Sequence, residues 1–386
     1  MNKRNKLLTL KHKPNTMNPV IPEKEGRLLS LDVMRGMIMI FLAGESCLVY
    51  ESLNNLHVGG FFDTVMLQFD HHPWNGLRLW DLIQPAFMTM AGTGMFISWH
   101  NKQQKGISWR QNFKHIAFRS LKLFILGTAV QCFYAGKLVW ELWNVLTQLS
   151  FTTLVAYLII DKSYKFQIVV SVLLLALTEI LYRSVLVPGF NQPFVEYHNF
   201  GAWLDTVLHE PINRGGWVTI NCLPTAAHTI WGCLAGKLLV SEIAPVQKVK
   251  YLVIAGIVGL AIGFGMDWTH ITPIIKRIAT TSFTFASEGW VLLLLATLYW
   301  LIDIKKINSY AWIAAVVGMN SIFIYYFFNT VGYQWFNGAV GIFVKGFAGL
   351  IGITPNISSV LTALVTWVLE WGLCYWLVKR RVFFKL

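Results

Sequence analysis

The chain has 386 residues, of which 55% are hydrophobic and only 13% charged, with a net charge of +13 and a mean hydropathy of +0.51. Soluble domains carry roughly 25% charged residues, so a water-soluble enzyme with membrane-free folding is excluded and a polytopic membrane protein is implied. The basic balance does not read as a nucleic-acid surface, because the Lys and Arg residues fall in short loops between apolar runs, as the positive-inside rule produces.

Residues 1–28 form a basic tail (Lys3, Arg4, Lys6, Lys11, Lys13, Lys24, Arg27) that is expected in the cytoplasm. Residues 29–386 read as one transmembrane domain. A first span over about 29–49 carries Asp32 and Arg35 at i,i+3, where they can pair on one helix face, and Glu45 deeper in the same span. A loop at 50–75 leads to a second span at about 77–99, followed by Lys102, Lys105, Arg110 and Lys114. No cleavable signal peptide is evident, since the first apolar run follows a long polar lead.

A third span at about 116–134 places Arg119 and Lys122 in its first turns, and a fourth at about 143–160 ends at Asp161-Lys162. The fifth, about 166–187, stops at Pro188-Gly189 and opens a polar, aromatic loop at 188–216. That composition suits either a sugar-facing surface or an ordinary solvated loop. Span six, about 217–239, holds Asn221, Pro224, Thr225 and His228 among apolar residues and ends at Lys237. Breakers and polar groups at that depth are tolerated mainly where they face protein or a cavity.

Span seven, about 251–266, is followed by Asp267…His270…Pro273…Lys276-Arg277, which sets two cations on the far side. Span eight, about 281–302, contains Glu288; span nine, about 309–330, contains Asn320 and Asn329. The Gly-rich run 337–353 is read as a re-entrant or peripheral helix, and the last span, about 357–378, returns to Lys379-Arg380-Arg381. The expected fold is therefore all-α: a membrane helical bundle of about ten transmembrane helices, with both termini cytoplasmic. The five cysteines are isolated and read as buried free thiols, with no metal-binding spacing.

Chemistry concentrates between the first two spans. His71 and His72 are the only adjacent histidines, and they precede the turn Pro73-Trp74-Asn75-Gly76 and Asp81. Imidazole accepts a proton near neutral pH and is the most frequent general base. Asp81 is a candidate to orient it. The turn amides or the Asn75 side chain are candidates to stabilise an oxyanion. Arg35, Arg119, Lys122 and Lys237 are candidate anion ligands near the cytoplasm, with snorkelling to headgroups as the alternative. Glu45, Trp74, Asp267, His270, Lys276, Arg277 and Glu288 are candidate acceptor-side residues, although any buried acid among them can instead be a satisfied core group.

Several ordered segments resemble the heparan-alpha-glucosaminide N-acetyltransferase family: Arg27…Asp32…Arg35-Gly36; His71-His72-Pro73-Trp74-Asn75-Gly76…Asp81…Pro85; Cys222-Leu223-Pro224-Thr225 with Gly236-Lys237; Pro273…Lys276-Arg277…Ser282-Phe283; and Gly318-Met319-Asn320. The resemblance covers nearly all of the chain after residue 26. It implies an acetyltransferase that uses cytoplasmic acetyl-CoA as co-substrate, without a metal, to acetylate a glucosamine-type sugar amine, as on a glycosaminoglycan, across the membrane. It further implies a catalytic histidine three residues before the motif Trp, which falls on His71, a CoA pocket open to the cytoplasm and a homodimer. A short bacterial-type member of the inner membrane fits the absence of the family's N-terminal lumenal region. The first span departs from the pattern at Phe41…Gly44-Glu45-Ser46, where an Asn-containing stretch is expected. Two other readings share some of these features: an amino-sugar permease, and an O-acyltransferase of envelope glycans.

Overall fold

A computed structural model describes residues 28–384; the basic tail through Arg27 and Lys385 lie outside the described residues. Those residues are mostly helical, with only two isolated β-bridges among them. The bundle begins with α1 (Leu29–Ser46), which has no side-chain cap of its own. Its first amides, those of Leu29 and Ser30, instead donate to the Asp303 carboxylate at 3.3 and 3.2 Å. A carboxylate at a helix N-terminus satisfies otherwise unpaired donors and complements the helix dipole. This contact fixes the start of α1 and the end of the helix bearing Asp303 at one end of the bundle, here termed the basic end.

The segment 50–75, read from the sequence as a loop, contains two short helices, α2 (Val49–Asn54) and α3 (Gly60–Met66), and a 3₁₀ turn at Leu67–Phe69. A second 3₁₀ turn, Leu79–Leu82, precedes α4 (Ile83–Gln104), so the helix of the second span starts later than the apolar run suggests. Pro85 is tolerated because it sits in the first turn, where its missing N–H costs nothing. Then come α5 (Trp109–Ala135), started by a Ser108/Gln111 capping box, α6 (Val145–Leu158) and α7 (Tyr164–Ser184). The 188–216 loop, here termed the outer loop, carries α8 (Phe200–Val207). It is followed by α9 (Cys222–Leu239), α10 (Pro245–Trp268) and α11 (Thr281–Leu298), the last extended by a π-helical turn to Ile304.

Five of these helical segments are long and apolar enough to cross a membrane: α5, α7, α10, α11 with its extension, and α15 (Pro355–Lys379), described below. A sixth is a bent pair. The sequence counts Ala311–Met319 (α12) and the residues beyond it as one straight span to about 330. The structure breaks that span at Asn320, and the two pieces meet at 74°. The Asn320 amide donates to Val382 O at 3.2 Å and its carbonyl accepts from Phe384 N at 3.0 Å, tying the break to the segment that follows α15. Beyond it, α13 (Ser321–Phe327) runs through a π-helical stretch, Phe328–Phe336, directly into α14 (Asn337–Leu350). The Gly-rich run is thus continuous with α13, as the second arm of this bent pair. The other four expected spans correspond to α1, α4, α6 and α9, which are shorter or more polar. Polar residues such as Thr89, Gln148 and His228 on α4, α6 and α9 are buried inside the bundle.

Small residues set the helix crossings. Gly92 and Gly232 let α4 and α9 touch backbone to backbone, each facing a carbonyl of the other helix (Thr229 O and Thr89 O). Gly36 faces the Ala314 carbonyl and Gly318 the Asp32 carbonyl, so α1 and α12 run antiparallel at close range. Such close approach is how membrane helices gain packing and interhelical polar contacts without a hydrophobic driving force between them. All five cysteines are free thiols.

Candidate active site

The far end of the bundle is built by two loops that pair with each other. Asn75 bridges Ile275 in antiparallel fashion, and Gly76 N donates to Ile274 O at 2.8 Å. Gly76 has φ of 145°, and a side chain there would strike the His72 ring, so only glycine fits the turn. On one side, His71 Nδ1 lies 3.1 Å from Asp81 Oδ1. The second oxygen, Oδ2, accepts from the amides of His72 (3.3 Å) and Arg78 (2.9 Å), so the Leu79–Leu82 turn fixes this carboxylate. The Arg78 guanidinium donates to His71 O at 2.9 Å. From the other loop, Lys276 Nζ reaches His71 Nδ1 at 3.1 Å, Asp81 Oδ1 at 3.5 Å and Trp80 O at 3.4 Å.

Aromatic rings enclose this triangle. Trp217 meets the His71 ring edge-on at 5.5 Å and stacks on Trp143 at 5.9 Å. The same indole receives the Lys276 ammonium at 5.3 Å and the Arg277 guanidinium at 6.0 Å. Arg277 donates to Gly215 O and pairs with Glu196 at 3.5 Å. Trp74 Nε1 donates to Phe194 O at 2.7 Å, fastening the His71 loop to the outer loop. Trp80 Nε1 donates to Glu45 Oε1 at 3.2 Å, bringing the far end of α1 to the centre.

Charge and burial tune these groups. Burial lowers the pKa of His71, the Lys276 charge lowers it further, and Asp81 opposes both. Burial pushes Lys276 down to about 8 against the pull of Asp81 and Glu45. For Asp81 burial alone would raise the pKa, but the His71 hydrogen bond, the Lys276 charge and the Arg78 amide outweigh it and the carboxyl is held below its ordinary value. The centre therefore holds a neutral imidazole beside an ionised carboxylate at neutral pH.

A second feature opens toward the basic end. A cavity of about 600 Å³ is lined by Asp32 and Arg35 of α1, Lys102 of α4, and Asn112, His115 and Arg119 of α5, with apolar walls from α4, α6 and α13. Its volume suits a small organic ligand, and its lining is cationic. Arg35 pairs with Asp32 at 3.4 Å; Lys102 donates to Asn112 Oδ1 at 2.8 Å. Tyr325 also lines the cavity, and its carbonyl accepts from Asn329, whose own amide oxygen accepts from Tyr134.

Of the candidates named from sequence, the structure gathers His71, Asp81, Lys276, Arg277, Trp74 and Glu45 at the far end, and Arg35 and Arg119 at the cavity. It places others elsewhere. Lys122 lies over the Phe118 ring at 4.6 Å, and Lys237 donates to Lys162 O at 3.1 Å beside Tyr164; neither lines the cavity. Asp267 caps its own loop by accepting from Ile274 N at 2.9 Å. His270 is exposed on a crevice with Glu179 and Arg183. Glu288 is buried in the bundle interior, where Thr89 donates to it at 2.6 Å. Asn75 has an exposed side chain, and the amides of His72, Gly76 and Arg78 are already engaged. Sequence reasoning missed Trp80 and Trp217, and it used Lys102 only to orient the chain and passed over His115.

Comparison with known proteins follows the same lines. Residues 27–262 match the sequence profile of the family described as heparan-alpha-glucosaminide N-acetyltransferase, catalytic. The chain is similar to heparan-alpha-glucosaminide N-acetyltransferase of Homo sapiens, 29% identical over 117 residues, which covers 30% of this chain and 16% of the human protein. It is also similar to the Mus musculus protein of that name, 27% identical over 117 residues, with the same coverage of 30% and 16%. The aligned part thus spans about a sixth of the length of these curated relatives.

Proposed function

From the premise that the chain belongs to the heparan-alpha-glucosaminide N-acetyltransferase catalytic family, we propose that it is an acetyl-CoA-dependent transmembrane N-acetyltransferase acting on an extracytoplasmic glucosamine-type amine. One observation carries this reading. A single bundle holds a cationic cavity toward its basic end and an imidazole–carboxylate pair at its far end. A solute carrier for a neutral or cationic sugar has little use for the cations Arg35, Lys102 and Arg119, whereas the phosphates of CoA need them.

In this reading Arg35, Lys102 and Arg119 hold the phosphates of acetyl-CoA from the cytoplasm, and residues 29–386 act as one catalytic domain. The bundle sits in the inner membrane of a bacterium, with both termini cytoplasmic, as a homodimer. Glu45 and the Trp74 and Trp217 rings receive the acceptor sugar. Asp81 orients His71 through Nδ1, which leaves Nε2 to take the proton from the acceptor amine. The amine nitrogen attacks the thioester carbonyl carbon and the C–S bond breaks. His71 returns its proton to the departing sulfur.

The test uses purified full-length chain in detergent, radiolabelled acetyl-CoA and glucosamine. Wild type is expected to form N-acetylglucosamine, and His71→Ala to lose at least a hundredfold in turnover while still binding CoA. Normal turnover in His71→Ala removes the imidazole from the reaction, and transfer to hydroxyl acceptors alone replaces the N-acetyl reading with O-acylation.

A further inference from the structure

The His71 Nδ1 side is crowded. Its nitrogen, the Lys276 Nζ and the Asp81 Oδ1 form a triangle with edges of 3.1, 3.5 and 3.1 Å. An ionised carboxylate standing alone behind an imidazole favours the imidazolium, which is the wrong state for a base that must accept a proton. A proton on Nδ1 that is donated to Asp81 also excludes donation from Lys276 into the same nitrogen. The ammonium then turns to Asp81 Oδ1 and Trp80 O, both already within reach. Resting on His71 as the base, as proposed above, we infer that Lys276 is a positioning residue: it shares the Asp81 carboxylate with His71 and thereby keeps the ring uncharged, with Nε2 left for proton transfer.

Every charged neighbour bears on this. From the His71 loop come Asp81, Arg78, Asp70 and His72; from the facing loop, Lys276 and Arg277; from α1, Glu45; from the outer loop, Glu196. Arg78 is directed to His71 O (2.9 Å) and Asp70 (3.8 Å), and Arg277 to Gly215 O and Glu196. Lys276 is the cation that reaches a ring nitrogen. It is only 5% exposed and lies against Trp217, so it is not placed to receive a substrate from solvent. Its lowered pKa and that of His71 fit a cation held in place at a cost for the sake of its neighbour.

The experiment reads the imidazole without substrate. Carbethoxylation of His71 by diethyl pyrocarbonate, which modifies neutral imidazole, is followed against pH by mass spectrometry in the purified full-length chain. In Lys276→Met the midpoint is expected to rise by roughly one pH unit or more, and the acid limb of acetyl transfer to rise with it. Lys276→Arg should hold both near wild type. Lys276→Gln, which keeps a donor but no charge, serves where the Met variant does not fold, and should shift like it. An unshifted midpoint in a folded, uncharged variant overturns the role of Lys276. A shifted midpoint in a chain whose wild type transfers no acetyl group supports that role and overturns the acetyl-transfer reading alone.

Discussion

The indole Nε1 of Trp80 donates a 3.2 Å hydrogen bond to Glu45 Oε1, so the residue next to Asp81 holds a carboxylate from α1 beside the His71–Asp81 pair. Trp80 is itself buried and its carbonyl accepts from Lys276, which makes the position of Glu45 a consequence of the same packing that sets His71. A charge-assisted hydrogen bond from a sugar ammonium to such a carboxylate is worth roughly 1.5–3 kcal/mol, or about tenfold or more in binding. Glu45→Gln should therefore raise the KM for glucosamine by about tenfold or more and leave the KM for acetyl-CoA unchanged. Initial rates with each substrate varied in turn decide it; equal losses for both substrates would mean that Glu45 serves folding instead.

The cavity at the basic end sorts the cations that the sequence grouped together. Arg35 and Arg119 line it, whereas Lys122 lies on Phe118 and Lys237 on Tyr164. Replacing Arg119 or Arg35 by Met is expected to weaken CoA binding by about tenfold or more, because each removes a charge-assisted contact to phosphate. The same change at Lys122 or Lys237 should stay within about twofold, because neither side chain lines the cavity. Isothermal titration of the four variants with CoA separates the two groups, and a large loss at Lys122 would move the phosphate site out of the cavity.

These contrasts show what the sequence made legible. His71 and Asp81 stand ten residues apart around a turn signal, so local chemistry was enough to pair them. Lys276 is 205 residues away from His71, and its contact depends on two loops bridging through Asn75 and Ile275, which periodicity does not encode. Hydropathy marked a span at about 309–330 and a separate Gly-rich run at 337–353 but not the break at Asn320, because no Pro marks it and the Asn side chain acts through Val382 and Phe384. Glu288 was visible as an acid at membrane depth; that Thr89 of another helix donates to one of its oxygens is a property of packing alone.

The α4–α9 crossing yields a stability prediction. Gly232 faces the Thr89 carbonyl so closely that any side chain must push the helices apart, and Gly92 repeats the arrangement from the other side. Overpacking costs typically 1–3 kcal/mol, roughly, even in cores that can adjust, and here the obstacle is backbone. Gly232→Val should lower the melting temperature and the yield of folded protein. Gly338→Ala, on α14 with open space around it, should be neutral or slightly stabilising by helix propensity. Comparable melting of the two variants would show that α4 and α9 slide freely.

A pH dependence of stability follows from the outer loop. Asp205, on α8, is buried and accepts from Thr219 N at 3.1 Å. Nearby Glu210 accepts from Thr219 Oγ1 at 2.8 Å and from Leu142 N at 3.1 Å. Burial, with Glu210 adding repulsion and the Thr219 contacts opposing, pushes Asp205 up to about 7 from an ordinary 3.8. The folded state thus binds more protons than the unfolded state between those two values, and stability falls as pH rises through that window. This favourable contribution is complete below about pH 4 and lost by about pH 7. Thr219 lies two residues from Trp217, so the loss bears on the loop segment that carries the ring against His71. Wild type should melt at a lower temperature at pH 8 than at pH 5, and Asp205→Asn, neutral throughout, should show a flatter profile. Thermal melts of both proteins across that range, monitored by tryptophan fluorescence, give the comparison, and parallel profiles would show that Asp205 is ionised in the folded state even at pH 5.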